Sequence, residues 1–455
     1  MAITSINPAN GSEIQSYQQL SDEQVANKIN ETHEAWLLWR QTDITERSTL
    51  LNKLAEMLQS RKDELARLMA LEMGKPVKQG VTEIEKCAAV CTYYADNAAA
   101  FLKDELIATD ANKSYITYQP IGVVLAIMPW NFPFWQVFRF LAPALAAGNC
   151  GVLKHASNVP GCALVIEEMV QQAGFPTHVF TTLLAGSSQV DAMIKNPLIK
   201  AVTLTGSNQA GVHVAQKAGS LIKKTVLELG GSDAYIILAD ADLELAATTC
   251  TDSRLINSGQ SCIAAKRFIV VETVAEKFTQ LMLQKMSAKV MGDPLRPDTD
   301  VGPQARIDLR DELHQQVQRT IEAGAQCILG CEVPAGNNAF YPPTILTQVT
   351  KGMPAFDEEM FGPVAAIITA KDEDEAIALA NDSIFGLGGA VFTKDAERGE
   401  RIAATQLEAG SCFVNAMVKS DPRLPFGGIK QSGYGRELGL IGMHEFVNIK
   451  TVYVR

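Results

Sequence analysis

A chain of 455 residues has room for two or three domains at the usual ~100–200 residues each. Its 47% apolar and 20% charged residues suit several ordinary hydrophobic cores, and no apolar run reaches bilayer length, so no membrane partner is expected. A net charge of −11 with no basic stripe excludes a nucleic-acid backbone as partner, although a local Arg or Lys could still hold an anionic substrate.

The N-terminus, Met1-Ala2-Ile3-Thr4-Ser5, lacks the basic-then-apolar pattern of a secretory signal, and a soluble, cytoplasmic setting is expected. Roughly the first 100 residues read as helical. Ser21-Asp22-Glu23-Gln24 has the form of a capping box, with Val25, Ile29 and Trp36 near one face behind it. Leu50, Leu51, Leu54, Leu58 and Leu65 predict a second helix from about Thr45 to Met73, punctuated by Gly74 and Pro76. Residues 114–118 alternate like a strand. The continuous apolar run from Ile121 to Met128 predicts a strand buried on both faces, ended by Pro129. Phe138 to Ala147 predicts a helix and Cys150 to Leu153 a short buried strand. A strand over 201–205 then meets Gly206 and a helical stretch to Ala218. This alternation predicts an α/β protein with a parallel sheet covered on both faces. A second αβ series runs from about Leu229 to Gly428, with a helix opened by Asp240-Ala241-Asp242, another over 371–380, and a turn at 386–389.

The nine cysteines are odd in number, and a chain this large needs no staples. Cys87/Cys91 and Cys327/Cys331 lack a histidine at zinc-ligand spacing, so no metal is expected and most cysteines read as small core residues.

Four segments could carry chemistry. In Asn257-Ser258-Gly259-Gln260-Ser261-Cys262, a thiol follows small polar residues that leave it accessible, and a thiolate attacks carbonyl carbon well. Glu228, between two leucines and before Gly230-Gly231, should have a raised pKa and suit a general base. In Met128-Pro129-Trp130-Asn131-Phe132-Pro133, prolines and aromatics clamp a carboxamide that could stabilise an oxyanion. Thr205-Gly206-Ser207-Asn208-Gln209-Ala210-Gly211 takes a strand into a helix, a geometry that suits a pyrophosphate. Taken singly, each has an inert reading: a buried cysteine, a salt-bridged glutamate, a turn asparagine, an ordinary glycine turn.

Together the segments resemble the aldehyde dehydrogenase superfamily over nearly the whole chain. The run is Pro129-Trp130-Asn131-Phe132-Pro133, Val152-Leu153-Lys154, Thr205-Gly206-Ser207, Glu228-Leu229-Gly230-Gly231, Gly259-Gln260-Ser261-Cys262, Glu359-Met360-Phe361-Gly362-Pro363 and Pro425-Phe426-Gly427-Gly428. The resemblance implies that Cys262 attacks an aldehyde, that Asn131 and the Cys262 N–H hold the oxyanion, and that hydride leaves to a nicotinamide. Glu228 would then activate water against the thioester. It also implies that Lys154 reaches the adenosine ribose and that Gly206, Ser207 and Gly211 lie near the pyrophosphate. Glu359 and Phe361 would contact the nicotinamide ribose, and Met128, Pro129, Trp130 and Leu229 would complete the cofactor set. NAD is the expected cofactor. Ser157 stands where NAD-preferring members often carry a glutamate, which leaves room for the 2′-phosphate of NADP. His155 replaces a common proline. Phe140 replaces a lysine associated with proton relay, and Glu437 is retained as a support for Glu228.

Arg139, eight residues beyond Asn131, matches members that act on succinate semialdehyde. A guanidinium binds a distal carboxylate in bidentate fashion, with Gln136 and Ser420 as further contacts. That subgroup often has a second arginine where this chain has Ile256, with Arg254 close by. The expected substrate is a short ω-carboxy aldehyde, succinate semialdehyde first and glutarate semialdehyde next. An apolar aldehyde, an ester hydrolase, or a retired homologue that keeps only the fold are the rivals. The implied architecture is a Rossmann-like cofactor domain over residues 1–101 and 121–228, and an α/β catalytic domain over 229–430. A small β oligomerisation element, 102–120 with 431–455, would exist to cover strand edges in a homodimer or homotetramer.

Overall fold

The computed structural model describes residues 2–455. The first helix runs Asp22–Trp39, and its Ser21 cap makes both bonds of the capping box with Gln24. Its buried residues Val25, Ile29, Thr32 and Trp36 share one face. The leucine pattern gives the helix Ile44–Met73, which ends on Gly74 in the left-handed conformation, where a glycine is favoured. The helix Val77–Phe101 packs along it.

Three sheets of three or more strands organise the rest of the chain, beside two of two strands each. The first has six strands in the order Gly433–Tyr434, Lys224–Glu228, Ile199–Thr205, Val123–Met128, Cys150–His155, Phe180–Thr182. All are parallel except the two-residue edge strand Gly433–Tyr434. The apolar run Val123–Met128 is central, and helices cover both faces, as its composition demands. The second sheet has seven strands, Gln326–Leu329, Thr344–Thr347, Val364–Ala370, Arg267–Val271, Ala234–Ile237, Gly388–Phe392 and Ser411–Val414, with only the first antiparallel. The third is antiparallel: Val447–Val454 pairs with Lys113–Pro120, which pairs with Glu105–Leu106. One apolar core lies around the first sheet and one on each face of the second. No helix among the described residues is long and apolar enough to cross a membrane.

The structure corrects four local expectations. The helix expected from Phe138 begins at Trp135, because the Glu83 carboxylate accepts the N–H groups of Phe134 and Trp135, each at 2.9 Å. That cap comes from a distant helix and leaves no local signature. The helix expected from Lys371 starts at Glu373, with Asp372 capping the Glu375 N–H at 2.9 Å. The expected turn at 386–389 is strand: Gly388 opens Gly388–Phe392, and a Cβ on it would lie 2.3 Å from Asp233 Oδ2. The glycine there allows close approach, not chain reversal. Finally, Cys327 and Cys331 form a disulfide, with Cys327 exposed on the edge strand. Of the other cysteines, 87, 91, 150, 162 and 250 are buried, while Cys262 and Cys412 are half-buried.

Candidate active site

The cysteine segment follows the helix Leu243–Leu255. Asn257 and Ser258 take left-handed backbone at φ 51° and 56°, and Gly259 continues at 78°. Non-glycine residues rarely adopt this conformation, and it persists only where surroundings over-determine it. Here the Gly302 N–H donates to Ser258 Oγ at 2.9 Å and the Ala305 N–H to Gln260 Oε1 at 2.8 Å. Arg254 donates to the Gly259 carbonyl at 2.6 Å. Lys266 Nζ donates to the carbonyls of Ser261 and Cys262 at 2.9 and 2.6 Å, and pairs with Glu359 at 3.3 Å. A Cβ on Gly259 would sit 2.2 Å from the Gly362 backbone, so only glycine fits.

Cys262 is the wall shared by two cavities. The first, about 310 Å³, is lined by Pro129, Trp130, Asn131, the 205–207 turn, Leu229, Gly230, Glu359 and Phe361. The second, about 230 Å³, is lined by Phe132, Trp135, Gln136, Arg139, Ile256, Ser420 and, from the helix Val77–Phe101, Lys86. Asn131 stands at the first cavity's wall, at the foot of Val123–Met128. Its Nδ2 donates to the Gln260 carbonyl at 3.1 Å, and Asn257 Nδ2 donates back to its carbonyl at 2.6 Å. These bonds hold the carboxamide against the thiol segment and leave its second N–H uncommitted. Among the described residues the Cys262 N–H has no acceptor. Two donors beside a nucleophile are what a developing oxyanion requires. Burial pushes the Cys262 thiol up to about 12, against the opposing pull of Lys266 and Arg139, so the resting group is the thiol.

Glu228 ends the strand Lys224–Glu228 and is buried, with no hydrogen bond to either carboxylate oxygen. Burial first, and then the nearby Glu437 carboxylate, raise it well above the usual carboxylate range. It lines neither cavity but directly precedes Leu229 and Gly230, which line the first. Glu437 is also raised by burial, and its carboxylate forms an ion pair with Arg139. Arg139 further donates to Thr205 Oγ1 at 3.2 Å and lies 4.9 Å over the Phe426 ring. Sequence reasoning gave Arg139 to the substrate and Glu437 to Glu228; the fold joins the two to each other. Gln136 lines the second cavity with its Oε1 unpartnered, and Ser420 lines it too.

The expected cofactor residues divide. Pro129, Trp130, Gly206, Ser207, Leu229, Glu359 and Phe361 line the first cavity, whereas Met128, Lys154, Ser157 and Gly211 do not. Gly211 lies inside the helix Asn208–Gly219, where a Cβ would meet Leu229 Cδ1 at 2.5 Å. It serves helix–strand packing. A dinucleotide fits what remains. Gly206 has only Leu204 Cδ2 near its missing Cβ, at 3.8 Å, so a ligand can approach the backbone. Ser207 caps the following helix, and the N–H groups of Asn208 and Gln209 find no acceptor among the described residues. The Trp130 and Phe361 rings meet edge to face at 5.8 Å, giving the cleft an aromatic wall beside the Glu359 carboxylate. Gly230 and Gly231 are glycines because Glu359 Oε2 and the Cys262 carbonyl lie 2.5 and 2.7 Å from where their Cβ atoms would be.

Several residues escaped the sequence reasoning. Lys86 and Lys266 gave no signal, since a lysine in a helix or before a strand usually faces solvent. His155 gains a role: its Nδ1 accepts the Ala156 N–H at 2.8 Å and its Nε2 bonds the Pro133 carbonyl at 2.9 Å, tying the turn around Asn131 to the neighbouring strand. Burial pushes it down to about 4, so it does this as the neutral ring. Phe140 packs in the core against Phe446 at 5.7 Å. Arg254 does not replace the arginine missing at Ile256; it is spent on the thiol segment.

The sequence profile of the Aldehyde dehydrogenase family matches residues 1–452. The chain is 50% identical, over all of both chains, to the probable succinate-semialdehyde dehydrogenase [NADP(+)] of Synechocystis. It is 46% identical to the succinate semialdehyde dehydrogenase [NAD(P)+] Sad of Escherichia coli, covering 99% of this chain and 97% of that one. The crystal structure of succinic semialdehyde dehydrogenase from Streptococcus pyogenes in complex with NADP+ superposes with a TM-score of 0.97, at 38% identity and full coverage of both chains. A likeness that runs almost end to end in sequence, and from strand to strand in space, is more than a shared domain: the chain belongs to the aldehyde dehydrogenase family.

Proposed function

We propose that this chain oxidises succinate semialdehyde to succinate with a nicotinamide dinucleotide, NAD or NADP. The observation that carries the reading is Cys262 as the common wall of a dinucleotide-shaped cleft and a second cavity furnished with cations. The names of the relatives support it. Ser157 is exposed just past the end of Cys150–His155, and a serine there presents no carboxylate to repel a 2′-phosphate.

The aldehyde enters the second cavity with its carbonyl toward Cys262. The thiol adds to the carbonyl carbon, and its proton passes to solvent water as the C–S bond forms. The resulting oxyanion takes hydrogen bonds from Asn131 Nδ2 and the Cys262 N–H. When bound, the dinucleotide supplies the hydride acceptor. The thioester left on Cys262 is attacked by water that Glu228 deprotonates, releasing carboxylic acid and restoring the thiol. The chain's regions divide accordingly: the first sheet carries the cofactor, the second presents the thiol, and the third covers its edges in a homo-oligomer.

The test is reduced-cofactor absorbance with succinate semialdehyde and NAD or NADP in turn. Turnover is expected with both cofactors and none with Cys262→Ala. Wild-type turnover confined to uncharged aldehydes would overturn the substrate, and no turnover with any aldehyde would overturn the activity.

A further inference from the structure

Lys266 lines neither cavity, yet its ammonium is committed to the nucleophile. Its backbone belongs to the second sheet. The Lys266 N–H donates to the Asp233 carbonyl at 3.0 Å, and its carbonyl accepts the Ala366 N–H at 3.1 Å, just before the strand Arg267–Val271. From this rigid base the buried side chain reaches back to the thiol segment. The three N–H donors of an ammonium meet three acceptors there. These are the carbonyls of Ser261 and Cys262 at 2.9 and 2.6 Å, and Glu359 Oε1 at 3.3 Å. Gly231 makes room for the cluster, since a Cβ on it would lie 2.7 Å from the Cys262 carbonyl oxygen. Its N–H donates to the same Glu359 oxygen at 3.0 Å.

We propose that Lys266 is a positioning residue for the oxyanion site: by holding the Ser261 carbonyl it aims the Cys262 N–H at the reacting carbonyl oxygen. The two groups belong to one peptide plane. In a trans peptide the C=O and the N–H point in opposite directions, and the high barrier to rotation about C–N keeps them so. Fixing the carbonyl on a buried ammonium therefore fixes the N–H, which meets no acceptor among the described residues and is left for substrate. The charge adds to the geometry. A cation on the carbonyl oxygen polarises the amide, and a polarised amide is a stronger donor on its other side, the more so at low local dielectric. The bond to the Cys262 carbonyl holds the next peptide in the same way. Both planes flanking the Cys262 Cα are then fixed, which leaves the thiol only its own side-chain rotation. Burial lowers the Lys266 pKa, while Glu359 and Asp233 oppose this and favour the ammonium. Glu359 also lines the first cavity, so one contact joins the oxyanion donor to the cofactor side of the site. The role rests on the thiol chemistry proposed for Cys262 and not on which aldehyde is taken.

The experiment uses Lys266→Met, which keeps the length and removes the ammonium, and Lys266→Arg, which keeps the charge. Two rates are measured at one pH with NADP present. The first is single-turnover reduction of NADP by succinate semialdehyde, with enzyme in excess. The second is alkylation of Cys262 by iodoacetamide, followed on its own peptide by mass spectrometry. Alkylation displaces iodide at a saturated carbon and builds no oxyanion, yet it needs the same accessible thiol. The ratio of the two rates therefore cancels any change in thiol ionisation or exposure. Expected for Lys266→Met is a fall of about tenfold or more in that ratio, toward the 10²–10³-fold typical of a lost oxyanion donor, with partial recovery in Lys266→Arg. Should Lys266→Met fail to fold, Lys266→Gln, which keeps a neutral donor, is read by the same ratio and should fall less far. A parallel fall in both rates would make Lys266 a structural support only. That result, or two unchanged rates, would overturn its role while leaving the proposed reaction standing. No reduction of NAD or NADP by wild type with any aldehyde would remove the reaction and this role with it.

Discussion

Glu228, the proposed base, is buried beside a second carboxylate. Burial and the Glu437 carboxylate keep it protonated well above the usual range, so its basic form appears only as pH rises. Turnover should therefore climb with pH at values above the usual carboxylate range in a pH profile of kcat. Stability runs the other way. A carboxyl whose pKa is higher folded than unfolded stabilises the fold while it is neutral, and that contribution is lost as pH rises through the folded value. Glu228→Gln should lower kcat by about 10²–10⁴-fold, as loss of a general base does, and leave acyl-enzyme detectable by mass spectrometry. Its melting temperature above the usual carboxylate range should be no lower than wild type, since it removes a buried carboxyl whose ionised form burial disfavours. A flat pH profile in wild type, or an intact kcat in the variant, would remove Glu228 from the role. At this scale the sequence was informative about kind and silent about pairing. A carboxylate between leucines before a glycine pair announces burial. Nothing local says that Arg139 turns to Glu437, because their contact spans two distant parts of the chain.

The segment from Asn257 to Cys262 acts as one element. Its left-handed residues set the direction in which Cys262 projects, and hydrogen bonds from Gly302, Ala305, Arg254 and Lys266 fix it. Gly259→Ala would force a Cβ against the Gly362 backbone at a φ of 78°, so the segment would have to shift. The expected cost is about 1–3 kcal/mol of stability in a urea melt, with a larger proportional loss of kcat, because a misplaced nucleophile is costly. A variant with wild-type kcat would show that the backbone geometry is not needed. Helix and strand existence was legible here and elsewhere: the capping box, the leucine stripe and the apolar run Val123–Met128 all became the elements they announce. Boundaries failed where the deciding group is remote, as with Glu83 capping at Trp135, or where a glycine marks close packing instead of a turn, as at Gly388.

For the whole molecule, the third sheet is largely exposed on its C-terminal strand. Val447–Val454 pairs with Lys113–Pro120 along its full length, yet Ile449, Tyr453 and Val454 are exposed. Apolar side chains on a sheet with open edges favour association. Light scattering should give a dimer or tetramer, and removal of residues 447–455 should yield a smaller or aggregating species. A stable wild-type monomer would refute this. The order of the motifs, their residue types and the alternation of helix and strand were determined by the sequence alone, because periodicity and backbone preference act over a few residues. The tertiary structure decided which charges find each other. It paired Arg139 with Glu437, set Lys86 against Ser420, packed Gly211 against Leu229 and tied His155 to Pro133. Those outcomes depend on distances between residues far apart in the chain, and Coulomb and desolvation energies are set by such distances and by burial, neither of which is written in a local pattern.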